Sequence, residues 1–171
     1  MTYPDWREPV RLLQIATGSA TPAQLALAHQ VRLILTGREP HNVVAVLLED
    51  HLKPSIWGST PDSASDRQRA FLQTLGATGA EQPDLSKAVA SAWIDHHLSL
   101  RTIESLRALR IVTGDKVIKR SIWTDPTTGE LHEATYGFTV SSIGRDGLVY
   151  FRGGNGKCGW PSSLTRATSQ Q

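Results

Sequence analysis

The chain has 171 residues, 39% apolar and 20% charged, the size of one ordinary domain or of two small ones sharing a core, and it is long enough to fold alone. Its single cysteine, Cys158, excludes an internal disulfide and a cysteine-based zinc site within one chain, and suits a reducing compartment. The net charge of +2 is unevenly placed, with 8 Lys/Arg against 10 Asp/Glu in Met1–Leu98 and 10 against 6 in Ser99–Gln171, so the second half favours an anionic partner.

The opening "MTYPDWREPVRLLQ" is charged and broken by two prolines, and no apolar run reaches the roughly 18 residues that cross a bilayer. The expectation is a soluble, cytoplasmic protein with no membrane partner. "DWREPVRLLQIATG" reads as a first helix, with Asp5 as cap and Gly18 as stop. At "TPAQLALAHQVRLILTG", Thr21 caps, Pro22 suits the first helical position, and Gln24 completes a capping box, with Gly37 as the expected stop. A second box stands at "SDRQRAFLQTLG", where Ser65 caps, Gln68 reaches back and Gly76 ends the helix. Between them, "KPSIWGSTPDSA" has the composition of a connector.

Each box opens a helix pair. The second helices are "VVAVLLEDHL" at Val43–Leu52 and "VASAWIDHHL" at Val89–Leu98. The caps are 44 residues apart and the helix ends 46, so residues 21–52 and 65–98 read as one unit written twice with two extra loop residues. Val44, Leu47, Leu48, His51 and Leu52 make a helical stripe matched by Ala90, Trp93, Ile94, His97 and Leu98. Both stripes include the last histidine, which places His51 and His97 at the core edge near a helix C-terminus, where an imidazole can donate to an orphan carbonyl. "SLRTIESLRALR" then reads as a sixth helix burying Ile103, Leu106 and Leu109.

After Arg110 the pattern alternates. "DKVIKRSIW" is a strand, "DPTTGE" a hairpin turn, and Ala134, Tyr136, Phe138 and Val140 alternate along a long strand that bends near Gly137. "GRDGL" is another turn, "LVYFR" a strand, "GGNGK" a tight loop with the Asn-Gly preference of a type I′ turn, and "CGW" a short last piece. The fold class is therefore α+β: a helical region over 1–110, a β-module over 111–165 and a disordered tail over 166–171.

The run "GDKV…YGFTVSSIGRDGLVYFRGG…GWPSSL" resembles the small SH3-like barrels of the KOW and Tudor kind, which implies that the β-module is a five-stranded SH3-like β-barrel. The two helix pairs are similar to helix–loop–helix units of the SAP type, which implies DNA as a partner. Neither resemblance transfers a site residue by residue.

"IDHHL" invites comparison with the Asp-His-His phosphoesterase motif. On a helix, neighbouring side chains point about 100° apart, so Asp95, His96 and His97 cannot converge on one ion, and Glu49, Asp50 and His51 fail alike. Metal catalysis would need the histidines of both copies to meet. "GGNGKCGW" departs from the phosphate-loop pattern at Phe151 and at Cys158. Cys158 beside Lys157, with His132 as a base from a neighbouring strand, is a conceivable nucleophile without a local signature.

What remains is the β surface. Lys119, Arg120, Arg145, Arg152 and Lys157 offer cations for phosphates, and Trp123, Tyr150 and Trp160 offer flat faces for stacking. The leading expectation is a non-enzymatic protein binding DNA or RNA, with no catalytic residue, metal or cofactor. The alternatives are an adaptor docking a peptide or partner protein and, third, a metal-dependent phosphoesterase or nuclease.

Overall fold

The computed structural model describes residues 1–77, 82–153 and 156–167, with Trp57 described by its backbone alone. Among these the helices are α1 (Arg7–Ala16), α2 (Pro22–Gln30), α3 (His41–Trp57), α4 (Asp66–Thr74) and α5 (Lys87–Leu109). The strands are β1 (Thr2–Tyr3), β2 (Lys116–Thr124), β3 (Leu131–Gly144), β4 (Val149–Phe151), β5 (Cys158–Gly159) and β6 (Leu164–Arg166). The chain divides into two units: Ile15–Leu100, and Met1–Gln14 with Arg101–Gln171. Among the described residues no helix is long and apolar enough to cross a membrane.

In the helical unit both capping boxes close as their residue types dictate. The Thr21 hydroxyl accepts the Gln24 N–H at 3.2 Å while the Gln24 side chain accepts the Thr21 N–H at 2.9 Å, and Ser65 and Gln68 repeat this at 3.3 and 3.0 Å. The amide groups of these glutamines then do a second job. Gln24 donates to the His41 carbonyl at 2.8 Å and Gln68 to the Lys87 carbonyl at 3.2 Å, tying each first helix to the start of its partner. The His41 N–H meets the Gly18 carbonyl as the Lys87 N–H meets that of Asp62, and the bridge Ser19–Pro40 is matched by Ser63–Ser86. Every one of these bonds recurs with the 44- and 46-residue offsets of the sequence, so the two pairs share one hydrogen-bond scheme.

The first helix of each pair also ends alike. The chain turns left-handed at Arg32 (φ 59°) and Gly76 (φ 70°), after which Leu33 donates to the Ala28 carbonyl at 2.9 Å and Ala77 to that of Leu72 at 3.1 Å, the pairing of a Schellman cap. Helix α2 therefore stops before Arg32 and not at Gly37, the stop expected from composition. A side chain at positive φ costs about 1–2 kcal/mol, partly offset by the chain entropy that glycine would lose. Arg32→Gly is expected to stabilise the protein by about 0.5–1 kcal/mol, read as a raised urea midpoint; an unchanged or lowered midpoint rejects the assignment.

Two helices outrun their expected ends, and the described helices number five where six were expected. Helix α3 continues through Pro54 to Trp57, because a proline in the last turn removes only the donor for the Asp50 carbonyl, and Gly58 then stops it at φ 65°. Helix α5 joins the segments read separately at 89–98 and 99–110. Between Lys87 and Arg110 there is neither glycine nor proline to break it. It ends at Arg110, where φ is 48°.

In the other unit β2 and β3 form a hairpin in unbroken register from Lys116 opposite Thr139 to Thr124 opposite Leu131. Its turn is organised by Asp125, whose carboxylate accepts the N–H groups of Thr127 and Thr128 at 2.7 and 3.2 Å, while Gly129 supplies the positive φ of 74°. The ladder keeps its register through Gly137, the position where a bend was expected; the register shift comes later, between Val140 and Ser142, where β3 passes from β2 to β4. Strand β1 pairs the end of β3, a contact with no signature in so short a run. The order is β5-β4-β3-β2-β6, all pairs antiparallel, with one turn of 3-10 helix at Pro161–Ser163 before β6.

The sheet thus has six strands where five were expected, and among the described residues no ladder joins β5 to β6. Val117, Val140, Ile143, Val149, Phe151 and Leu164 form its buried layer, packed with Val10, Leu13, Ile103 and Leu106 of α1 and α5. Arg166 is in β6 and the Ala167 N–H donates to Lys116, so the tail expected from Arg166 begins as strand. Residues 168–171, and Gly154 and Asn155 of the loop expected to turn at Asn155–Gly156, lie outside the described residues.

Candidate nucleic-acid interface

Strand alternation sorts the β surface into two faces. On β2, Val117, Lys119, Ser121 and Trp123 share one face, and their partners on β3 are Phe138, Tyr136, Ala134 and His132. Cross-strand partners project to the same side, so this face carries an aromatic row from the core to the tip of the hairpin.

At its inner end lies an open pocket of about 490 Å³ lined by Lys119, Ser121, Tyr136, Phe138, Phe151 and Lys157. Phe138 stacks on Phe151 with ring centres 4.4 Å apart and planes 10° from parallel, and Tyr136 stands 6.4 Å from Phe138. The Lys119 ammonium donates to the Cys158 carbonyl at 3.2 Å, which fixes it at the pocket wall. Lys157 arrives from the loop before β5, whose carbonyl accepts the Phe151 N–H at 3.0 Å. At the outer end Trp123 stacks on His132, centres 5.6 Å apart and planes at 22°. Trp123 is 46% and Tyr136 49% exposed, whereas Phe151 is 5% exposed.

Of the eight residues expected to form the surface, this face unites three: Lys119, Lys157 and Trp123. Arg120 follows Lys119 directly and so projects from the opposite face, where it makes a bidentate pair with Glu133, both contacts 2.5 Å. The guanidinium's hydrogen bonds hold the Glu133 carboxyl below its ordinary range. Tyr150 alternates away from the buried Val149 and Phe151. Arg145 is exposed in the β3–β4 turn, Arg152 follows β4, and Trp160 precedes the 3-10 turn; none of these lines the pocket. Tyr136, Phe138, Phe151 and His132 belong to the face without having been singled out for it. The turn at residues 125–130 was the available signal, because it sets the register that puts Tyr136 opposite Lys119.

Electrostatically the face is cationic at its inner end. Among the described residues, ion pairs occupy Arg7, Arg11, Arg120 and Arg166, and no carboxylate comes within 4 Å of Lys119 or Lys157. At the hairpin tip Asp125 lies 4.0 Å from His132, its carboxyl held low by the two turn N–H groups.

The acidic-histidine stretches are occupied otherwise. His51 is exposed, not buried on its stripe, and its Nε2 meets the Val31 carbonyl at 2.9 Å, so it satisfies the end of α2 and not of its own helix. Asp50 accepts the Ser86 hydroxyl, which in turn accepts the Val89 N–H and caps α5. Asp50 and His51 line an open pocket of about 290 Å³, with one polar atom of each already bonded to the scaffold. His97 falls within α5, well before its end, where Trp93, His96 and His97 cluster with ring centres 5.5–6.0 Å apart. Burial, and then His97, lowers the His96 pKa. Among the described residues no group of three or more His, Cys, Asp or Glu is placed to hold a metal. His132, stacked on Trp123, is four residues along the hairpin from the Tyr136–Lys119 pair that flanks Cys158, about 13 Å away at strand rise.

No family model, curated protein or solved structure compared with the chain matches it.

Proposed function

We propose that the chain is a nucleic-acid-binding protein and that its β unit is an SH3-like module acting as the binding surface. The strand order β5-β4-β3-β2-β6, with a 3-10 turn between the last two strands, supports the module. One observation carries the function: Lys119 and Lys157 share an open pocket with the aromatic side chains of Tyr136, Phe138 and Phe151. Cations without carboxylate partners attract phosphate, and rings offer stacking surface to bases. Ion-paired Arg120 adds little, since its charge is already matched.

Two phosphate contacts imply a salt slope near −1.4 for a single strand and −1.8 for a duplex, that is about sevenfold and about twelvefold weaker binding at 200 mM than at 50 mM salt. Titrating labelled DNA and RNA at both concentrations measures this. Lys119→Gln with Lys157→Gln is expected to weaken binding and flatten the slope by that amount. Absence of binding, or a slope untouched by the double substitution, rejects the assignment.

A second reading, docking of an extended peptide, is favoured by the edge of β2. Its pairing with β6 ends at Lys119, so among the described residues Arg120–Thr124 present main-chain groups with no strand partner on that side. A partner retained in pull-downs after nuclease treatment would support it; one released by nuclease would not.

A further inference from the structure

We infer that this face takes an unpaired nucleic-acid strand, in which bases stack on the aromatic row and phosphates meet the two lysines; this rests on the nucleic-acid reading above and specifies the form of the ligand. The rings occupy two stations on one face. The inner station is Tyr136 with the Phe138–Phe151 stack, and the outer is Trp123 on His132. They lie four residues apart along the hairpin, about 13 Å at strand rise. Between them stand Ser121 and Ala134, directly opposite each other and both small, so the floor dips and leaves the ring at each side accessible.

An aromatic that is half exposed, as Trp123 and Tyr136 are, leaves apolar ring surface in water; a base laid on it covers that surface. In a duplex the base faces are already covered by neighbouring bases, and only an unpaired strand can offer them. The charge placement argues the same way. Both free lysines are at the inner station, while the outer one has the Asp125 carboxylate beside His132. A duplex bound through its backbone needs cations along its length, and this face supplies them at one end only. A single strand gains from each ring instead.

The experiment compares labelled dT12, rU12 and a 12-base-pair duplex at 100 mM salt by fluorescence anisotropy, on the full chain and on Trp123→Ala and Tyr136→Ala. Single strands are expected to bind at least tenfold more tightly than the duplex. Each alanine substitution is expected to lose about 5- to 150-fold on single strands, the worth of one stacked base, and to leave the duplex unaffected. Tyr136→Phe keeps the ring and should keep the affinity. Should an alanine variant lose its circular dichroism, Trp123→Phe and Tyr136→Phe set against Trp123→Leu and Tyr136→Leu decide the point, since both sets fill the site and only one stacks. Duplex binding as tight as single-strand binding, or indifference to ring loss, overturns this inference and leaves the nucleic-acid reading standing. If no nucleic acid binds, both fall, and ring-dependent binding of a labelled decaproline peptide in its place would assign the face to polypeptide.

Discussion

Gly147→Ala is expected to destabilise the β-containing unit by about 3 kcal/mol, combining a positive-φ penalty of roughly 1–2 kcal/mol with overpacking of roughly 1–3 kcal/mol. Gly147 stands at φ 85° in the turn between β3 and β4, and its N–H donates to the Gly144 carbonyl at 2.9 Å. A methyl group there would overlap the Thr102 methyl and press on Leu106 and Leu13 at 3.3 and 3.4 Å. Those atoms belong to the buried layer between α1, α5 and the sheet, where Leu106 is fully buried, so little can give way. Gly144→Ala is the comparison. Gly144 does not need a positive φ, and the atom most in the way is the carboxylate end of Asp146, which can swing aside at the cost of the bond it accepts from the Leu148 N–H. Urea titration followed by circular dichroism should show a large loss for the first substitution and a small one for the second. Equal losses would mean that the turn does not pack on α1 and α5 as described.

Leu72→Ala is expected to cost the helical unit about 3 kcal/mol, within the 2–5 kcal/mol range for emptying a core leucine site. The repeat makes this informative. Leu72 occupies the position that Ala28 holds in the first pair, since both carbonyls accept the closing bond of a Schellman cap. Comparing the copies alone would suggest that alanine is acceptable. Packing says otherwise, because Leu72 is 1% exposed in a cluster with Val43, Ala64, Leu85, Val89 and Ala90, whereas Ala28 packs in a different one with Val44 and Leu48. Removing the isobutyl group leaves a cavity lined by side chains held on α3, α4 and α5. A loss below about 1 kcal/mol in the urea titration would show that the site collapses to fill the space, and that the two pairs are interchangeable in packing as well as in hydrogen bonding.

The candidate surface was only partly legible before folding. Lys119, Lys157 and Trp123 were identifiable as cations and stacking faces, but the same reasoning selected Arg120, which strand alternation turns to the far side and Glu133 neutralises. It also passed over Tyr136 and Phe138, which read as ordinary strand residues until pairing put them beside Lys119. Phe151 and Lys157 stand six positions apart in the chain, and the bond from the Phe151 N–H to the Lys157 carbonyl is what holds the two at the same pocket.

By itself the sequence determined what depends on neighbours a few positions away: the capping boxes at Thr21 and Ser65, the Asp125 turn, the duplicated helix pair, and the change from helical to alternating period after Arg110. These are short-range hydrogen bonds and periodicities, written in the residues that make them. Only the tertiary structure decided where α3 and α5 end, that β1 pairs with the end of β3, which glycine of the β3–β4 turn lies against Thr102, Leu106 and Leu13, and which cations share a face with the rings. Each of those outcomes depends on burial and pairing between residues distant in the chain, and no local pattern encodes which distant partner will be there.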